Sequence, residues 1–237
     1  MIRLRAVVLD LDGTLFDHRG ASRAAVADWL RSLGREPDEA TQSAWSQIEE
    51  RHHADWRAGL VSHDEHRRRR LRDFLPLVDS PVGDDAVLDE QFQRDYLTRY
   101  RRHWRAFDDV EAALAAIGAA GLRVGLLTNG MPEQQNAKLE VLGLAGRVGP
   151  VVTAGELGLA KPRPEAFRAI CDRLGVDPAA TLHVGDDHPV DVVGARAAGM
   201  FAVHLDRHDE GPHDEALRMR SLTELPRFLG AQVSGRS

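Results

Sequence analysis

Cysteine is nearly absent from this 237-residue chain. The single one, Cys171, cannot form an intramolecular disulfide and falls on an expected helix, so it reads as a buried packing thiol. Long apolar runs are missing too. No segment supplies the eighteen or so successive apolar residues that a membrane-spanning helix needs. The first residues reach Asp10 before a signal-length apolar stretch develops. A cytoplasmic protein without a membrane partner is the expectation. There is no excess of basic charge: the formal net charge is −6, which argues against nucleic acid or an anionic bilayer as partner. A small phosphorylated substrate remains open, because one local cluster of positive groups can bind it. Lysine is the scarcest charged residue. Of 31 basic residues only Lys138 and Lys161 are lysines, so each asks for a reason.

Aromatic residues are few and unevenly spread. All four tryptophans (Trp29, Trp45, Trp56, Trp104) and both tyrosines (Tyr96, Tyr100) fall between residues 29 and 104. The flanking parts differ: short β-branched or leucine-rich runs alternate with glycine and alanine-rich helical patterns. Apolar runs of strand length occur at 4–10, 122–128, 148–153, 181–185 and 200–205, with helical patterns near 108–120, 132–143, 163–174 and 188–198. Strands alternating with helices in this way imply right-handed crossovers and a parallel sheet covered on both faces. The expected fold is α/β, a doubly wound three-layer Rossmann-like core with strand 4–10 near its centre. Residues 1–16 and 105–237 would form that core, and 17–104 an inserted all-helical domain. Within the insertion, Phe92, Tyr96, Tyr100 and Trp104 recur every four residues as one helical stripe. The basic run 63–72 reads as a solvated helix face. His52 and His53 cannot place both imidazoles on one face, which argues against a metal site there. The small, polar tail Gly230–Ser237 reads as a frayed terminus.

In an open parallel sheet, ligands bind at the carboxyl ends of the strands, where strand order reverses. The first strand ends at Asp10, with Asp12 two residues on. The second ends at Thr128-Asn129-Gly130, the third leads to Lys161-Pro162, and the fourth ends at Gly185-Asp186-Asp187 with Asp191 beyond. Each segment alone has a plain reading as a turn or a helix cap. Their joint placement at successive strand ends makes a site. Crowded carboxylates repel one another unless a cation sits among them, and an all-oxygen set suits Mg²⁺. A metal so held shields a phosphate, which lets an aspartate approach phosphorus as nucleophile. Thr128, nearby backbone N–H groups and the Lys161 ammonium can then stabilise the phosphoryl oxygens.

These segments resemble the haloacid dehalogenase superfamily. The matches are Asp10-x-Asp12-Gly13-Thr14-Leu15, Thr128-Asn129-Gly130, Lys161-Pro162, and Gly185-Asp186-Asp187 with Asp191, in the family's order and over about two-thirds of the chain. The inserted helices look like the family's helical cap. The resemblance implies that Asp10 is the nucleophile and a Mg²⁺ ligand. It implies that Asp12 is the general acid and then the general base, with its backbone carbonyl on the metal. Thr128, Asn129 and Lys161 would bind the substrate phosphate, and Asp186 would ligate the metal. Asp187 and Asp191 would hold water or orient Lys161. Family members that dehalogenate lack an aspartate where Asp12 stands, because a halide needs no proton to leave; Asp12 therefore points to phosphate esters. Gln134, Gln135 and Lys138, with Gly155-Glu156-Leu157-Gly158, are similar to members acting on nucleotides or sialic acid phosphate. The implied activity is Mg²⁺-dependent hydrolysis of a small phosphorylated metabolite, a nucleotide or sugar phosphate. A phosphomutase shares every core motif. A phospho-accepting receiver domain also uses such aspartates, but it carries no large insertion after the first strand.

Overall fold

The computed structural model describes residues 3–230; the expected frayed tail beyond Gly230 lies outside the described residues. Six strands form one sheet: β1 (Ala6–Leu9), β2 (Arg123–Thr128), β3 (Val151–Thr153), β4 (Thr181–Gly185), β5 (Phe201–Leu205) and β6 (Arg218–Met219). Their order is β3-β2-β1-β4-β5-β6, and every pair is parallel. This is the doubly wound topology expected from the alternation of strands and helices. β1 is buried along its whole length, because it is hydrogen-bonded on both sides and covered on both faces. Leu9 lies beside Leu126 of β2 and Val184 of β4. After β3 the chain returns past β1 to place β4 on its other side. That reversal opens a crevice at the carboxyl ends of β1 and β4.

The chain divides into two compact units: residues up to Asp17 together with those from Ala106 on, and His18–Arg105. The second unit is helical: α1 (His18–Ser32), α2 (Glu39–Arg57), α3 (His63–Phe74), α4 (Asp85–Gln91), a π-helical turn Phe92–Leu97, and α5 (Thr98–Arg102). Side-chain caps start three of them, with Asp38, Ser62 and Asp84 each accepting an N–H three residues on. The four-residue aromatic stripe forms a continuous seam. Ring centroids are 5.3 Å apart from Phe92 to Tyr96, 5.5 Å from Tyr96 to Tyr100, and 5.8 Å from Tyr100 to Trp104.

The basic run 63–72 is not a solvated face. Four consecutive helical residues point in four directions, and Arg70 shares the inward face of α3 with His66, Leu71 and Phe74. Its guanidinium lies 4.6 Å from the Trp45 ring centroid and 4.9 Å from that of Tyr96, and it is bonded to the Glu49 carboxylate. Glu49 also accepts from Ser22 at 2.9 Å and Tyr96 at 3.3 Å. Burial alone would raise the Glu49 carboxyl, but Arg70 and His18 hold it well below the usual carboxylate range. Arg68 and Arg72 pair outward with Asp85 and Asp89 or Glu65. His52 bonds Asp73 at 2.6 Å while His53 stacks on Trp56, so the two imidazoles diverge as expected.

In the first unit, α6 (Val110–Ala119), α7 (Pro132–Val141), the single turn α8 (Ala154–Leu157) and α9 (Pro164–Leu174) connect the strands. A π-helical turn, His188–Val193, follows β4. On α9, Phe167, Ile170, Cys171 and Leu174 pack onto Ala6, Val8, Leu127 and Val152 of the sheet. Cys171 is fully buried, and burial pushes its thiol up, as befits a packing residue. No helix among the described residues is long and apolar enough to cross a membrane.

The Glu49–Arg70 pair generates a prediction. Arg70→Met removes the arginine from a buried carboxylate and should cost about 3–5 kcal/mol in urea unfolding. Adding Glu49→Leu should recover most of that loss; a double variant as unstable as the single one would contradict the assignment.

Candidate active site

β1 delivers the chain to the carboxyl edge, and the ladder continues one residue further: the Asp10 N–H donates to Val184 O at 2.9 Å. A tight loop follows, in which the Leu11 carbonyl accepts from the N–H groups of Thr14, Leu15 and Phe16. Gly13 makes the loop possible. Its φ is +87°, and a Cβ there would sit inside the Asp186 carboxylate. The close approach brings the loops after β1 and β4 together, with Thr14 Oγ1 3.4 Å from Asp186 Oδ1.

The centre of the site is the Lys161 ammonium. It donates to Asp10 Oδ1 at 2.5 Å and Asp191 Oδ1 at 2.7 Å, and Lys161 is only 2% exposed. His183 Nε2 lies 2.9 Å from the same Asp191 oxygen, and the Asp187 N–H donates to Asp191 Oδ2 at 3.2 Å. Gly185 leaves room for this arrangement, since a Cβ there would overlap the Asp191 carboxyl group. The loop carrying Lys161 is tied to the end of β2 from both sides. Asn129 Nδ2 donates to Lys161 O at 2.9 Å, and the Lys161 N–H donates to Asn129 Oδ1 at 2.8 Å.

Charge balance follows from this packing. Burial would lower the Lys161 ammonium, but Asp10 and Asp191 together hold it well above its ordinary range. Asp191 lies below the carboxylate range: burial opposes that, and Lys161 and His183 outweigh it. Asp10 is pushed up to about 7 by burial and by Asp191 and Asp12, against the pull of Lys161. Asp186 rises well above its usual value through burial and through Asp10 and Asp191. The cluster is thus short of positive charge. Asp10, Asp186 and Asp191 offer oxygens within 4.8 Å of one another, an all-oxygen set that fits a hard divalent cation. Asp191 is already engaged by Lys161, His183 and a backbone N–H, which leaves Asp10 and Asp186 as the carboxylates with ligand capacity to spare.

Beside this cluster stands Asp12, whose two oxygens accept from one helix. Lys138 Nζ donates to Oδ1, and Gln135 Nε2 donates to Oδ2 at 2.8 Å. The Gln135 amide also reaches Thr128 Oγ1 at 2.5 Å, so it bridges the ends of β1 and β2.

All eight expected residues lie at this sheet edge, but their places differ in kind. Asp10, Lys161, Asp186 and Asp191 meet in one cluster, and Thr128 joins Asp12 through Gln135. The Asn129 amide is engaged at both ends by the Lys161 backbone, which leaves a phosphate only its main-chain N–H. The Asp187 main chain bonds Asp191, while the Asp187 side chain faces the following turn, where Oδ1 accepts the Val190 N–H at 3.1 Å. Arg163 faces solvent beside Glu165. Sequence reasoning missed Gln135, Lys138 and His183 as neighbours of the aspartates. Two signals pointed at Lys138, the rarity of lysine and the family resemblance it shares with Gln135, and neither assigned it a partner.

The haloacid dehalogenase-like hydrolase profile matches residues 4–199. The chain belongs to that family. A phosphoserine phosphatase of Thermus thermophilus is 32% identical over 94% of this chain and 98% of its own length. An (S)-2-haloacid dehalogenase of a Pseudomonas species is 26% identical over 95% of this chain and 96% of its own. Among solved structures, the magnesium-bound HAD-hydrolase YfnB of Bacillus subtilis superposes with a TM-score of 0.80 at 20% identity. That match covers 97% of this chain and all of the other, and it shows the shared fold. This haloacid dehalogenase-like hydrolase therefore has phosphatases and dehalogenases alike among its relatives.

The Asn129 bridge predicts that Asn129→Ala lowers stability by about 1–3 kcal/mol and speeds hydrogen exchange at the Lys161 amide. Unchanged exchange there would show that the loop is held by something else.

Proposed function

We propose that this hydrolase cleaves small-molecule phosphate monoesters through an aspartyl-phosphate on Asp10. The observation that carries the reading is Asp12. A carboxyl group two residues beyond the nucleophile, 31% exposed, can hand a proton to a departing alkoxide; a departing halide needs none. Relatives of both kinds exist, so the choice rests on this side chain rather than on similarity. The substrate class is a small phosphorylated metabolite, and the helical unit is the counterpart of the family's inserted cap.

Lys161 holds Asp10 Oδ1, so Oδ2 is the oxygen that attacks phosphorus. As the new O–P bond forms, the bond from phosphorus to the ester oxygen breaks, and Asp12 protonates that oxygen. Asp12, now a carboxylate, takes a proton from water. The water oxygen bonds phosphorus, the aspartyl O–P bond breaks, and inorganic phosphate leaves. Thr128 Oγ1 accepts from Gln135, which directs its own O–H toward a phosphoryl oxygen. The Lys161 ammonium and the main-chain N–H of Asn129 face the same charge. Mg²⁺, held by Asp10, Asp186 and the main-chain carbonyl of Asp12, would neutralise phosphoryl charge when bound.

Asp10→Asn should lower phosphate release by at least about 10³-fold with the fold retained. Halide release from 2-haloacids, without phosphate release from any ester, would contradict the reading. Chelation should stop turnover and Mg²⁺ restore it. Mg²⁺ should also raise the melting temperature, more so near pH 8 than near pH 6, because Asp10, held up to about 7, must lose its proton to become a ligand. A melting temperature indifferent to Mg²⁺ at both pH values would remove the metal.

A further inference from the structure

We propose that Lys138 and Gln135 are positioning residues, which clamp the Asp12 carboxyl group in the plane from which it protonates the leaving oxygen. The inference rests on the phosphatase reading and extends it to a helix outside the four motifs. Lys138 and Gln135 are three residues apart on α7, on one helical face, and they are 2% and 1% exposed. They take one Asp12 oxygen each. A carboxylate held at one oxygen can still swing about its Cβ–Cγ bond. Held at both, it turns only by breaking both bonds. Asp12 stays 31% exposed between its two donors, so the clamp does not shut it off from a substrate.

The surroundings are built for this clamp. Pro132 starts α7 at its first turn, a short way before Gln135. Gly130 gives the Gln135 amide its room, since a Cβ there would come within 2.5 Å of Gln135 Cδ. The Lys138 ammonium lies 4.8 Å from the Phe16 ring centroid, and Phe16 is fully buried. A buried ammonium needs an acceptor, and a carboxyl oxygen can serve whether Asp12 carries its proton or has given it up, so Lys138 and Asp12 hold each other in register. Thr128, bonded to the same Gln135 amide, ties the proton donor to the phosphate-binding hydroxyl. The distance from acid to phosphoryl group is thereby set by one side chain.

The test compares two leaving groups in one parameter. kcat/KM covers the steps up to departure of the alcohol, and p-nitrophenolate departs without a proton whereas an alkoxide does not. Lys138→Met should lower kcat/KM for an alkyl phosphate such as glycerol phosphate by about 10²-fold or more, and for p-nitrophenyl phosphate at least about tenfold less. Lys138→Arg, which keeps a cationic donor, should recover part of the alkyl-ester rate. Should Lys138→Met fail to fold, Lys138→Gln carries the same comparison. Equal losses on both esters would overturn the clamp alone and leave Lys138 a packing residue. A wild-type protein that hydrolyses neither ester would overturn the phosphatase reading, and the clamp with it.

Discussion

One buried ammonium organises this molecule's site. Lys161 joins the end of β1, through Asp10, to the turn after β4, through Asp191, and neither strand end could hold its carboxylate in that space without the cation. The energetic logic is that of a buried ion pair with extra bonds. Removing any charge from water is expensive, and the expense is met only when geometry is good and every remaining lone pair has a partner. His183 and the Asp187 N–H provide such partners to Asp191, and the Asn129 bridge holds the Lys161 main chain in place. Even so the cluster holds more negative than positive charge, and Asp10 and Asp186 ionise reluctantly. That residual imbalance is the physical argument for a divalent cation, and it arises from the same packing that fixes the nucleophile.

The scarcity of lysine takes on meaning against this background. Arginine serves where a planar fork can bridge carboxylates and lie over rings, as Arg70 and Arg207 do. The two lysines are both buried, and each is bonded to one of the two aspartates of the first motif. A compact ammonium on a slender stem enters a packed edge with less displacement of its neighbours than a guanidinium does. Composition thus marked both positions before any geometry was known, although it assigned no partner to Lys138.

The doubly wound core was legible because its strands are short apolar runs that alternate with helices, a pattern with few folding solutions. The placement of Asp10, Thr128, Lys161 and Asp186 at one edge followed from strand ends alone. What stayed hidden depends on contacts across the sequence. Gln135 and Lys138 meet Asp12 more than 120 residues away, and His183 meets Asp191 from inside a strand, where its polarity reads as an interruption. The run at 63–72 misled because charge density was read without helical phase, and phase is what turns Arg70 inward. β6 is two residues long, too short to carry any period. The glycines illustrate the same divide: each motif glycine is visible in sequence, whereas the carboxylate or amide it makes room for is visible only in space.

The account stands or falls on a phosphoryl group carried by Asp10. The most direct measurement is to quench the enzyme during turnover of a phosphate ester, reduce it with borohydride, and map the modified residue by peptide mass spectrometry. An acyl phosphate at Asp10 would be converted to homoserine at that position alone, and Asp10→Asn would show none. Turnover with no reducible residue, or with the modification at Asp12, Asp186 or Asp191, would contradict it.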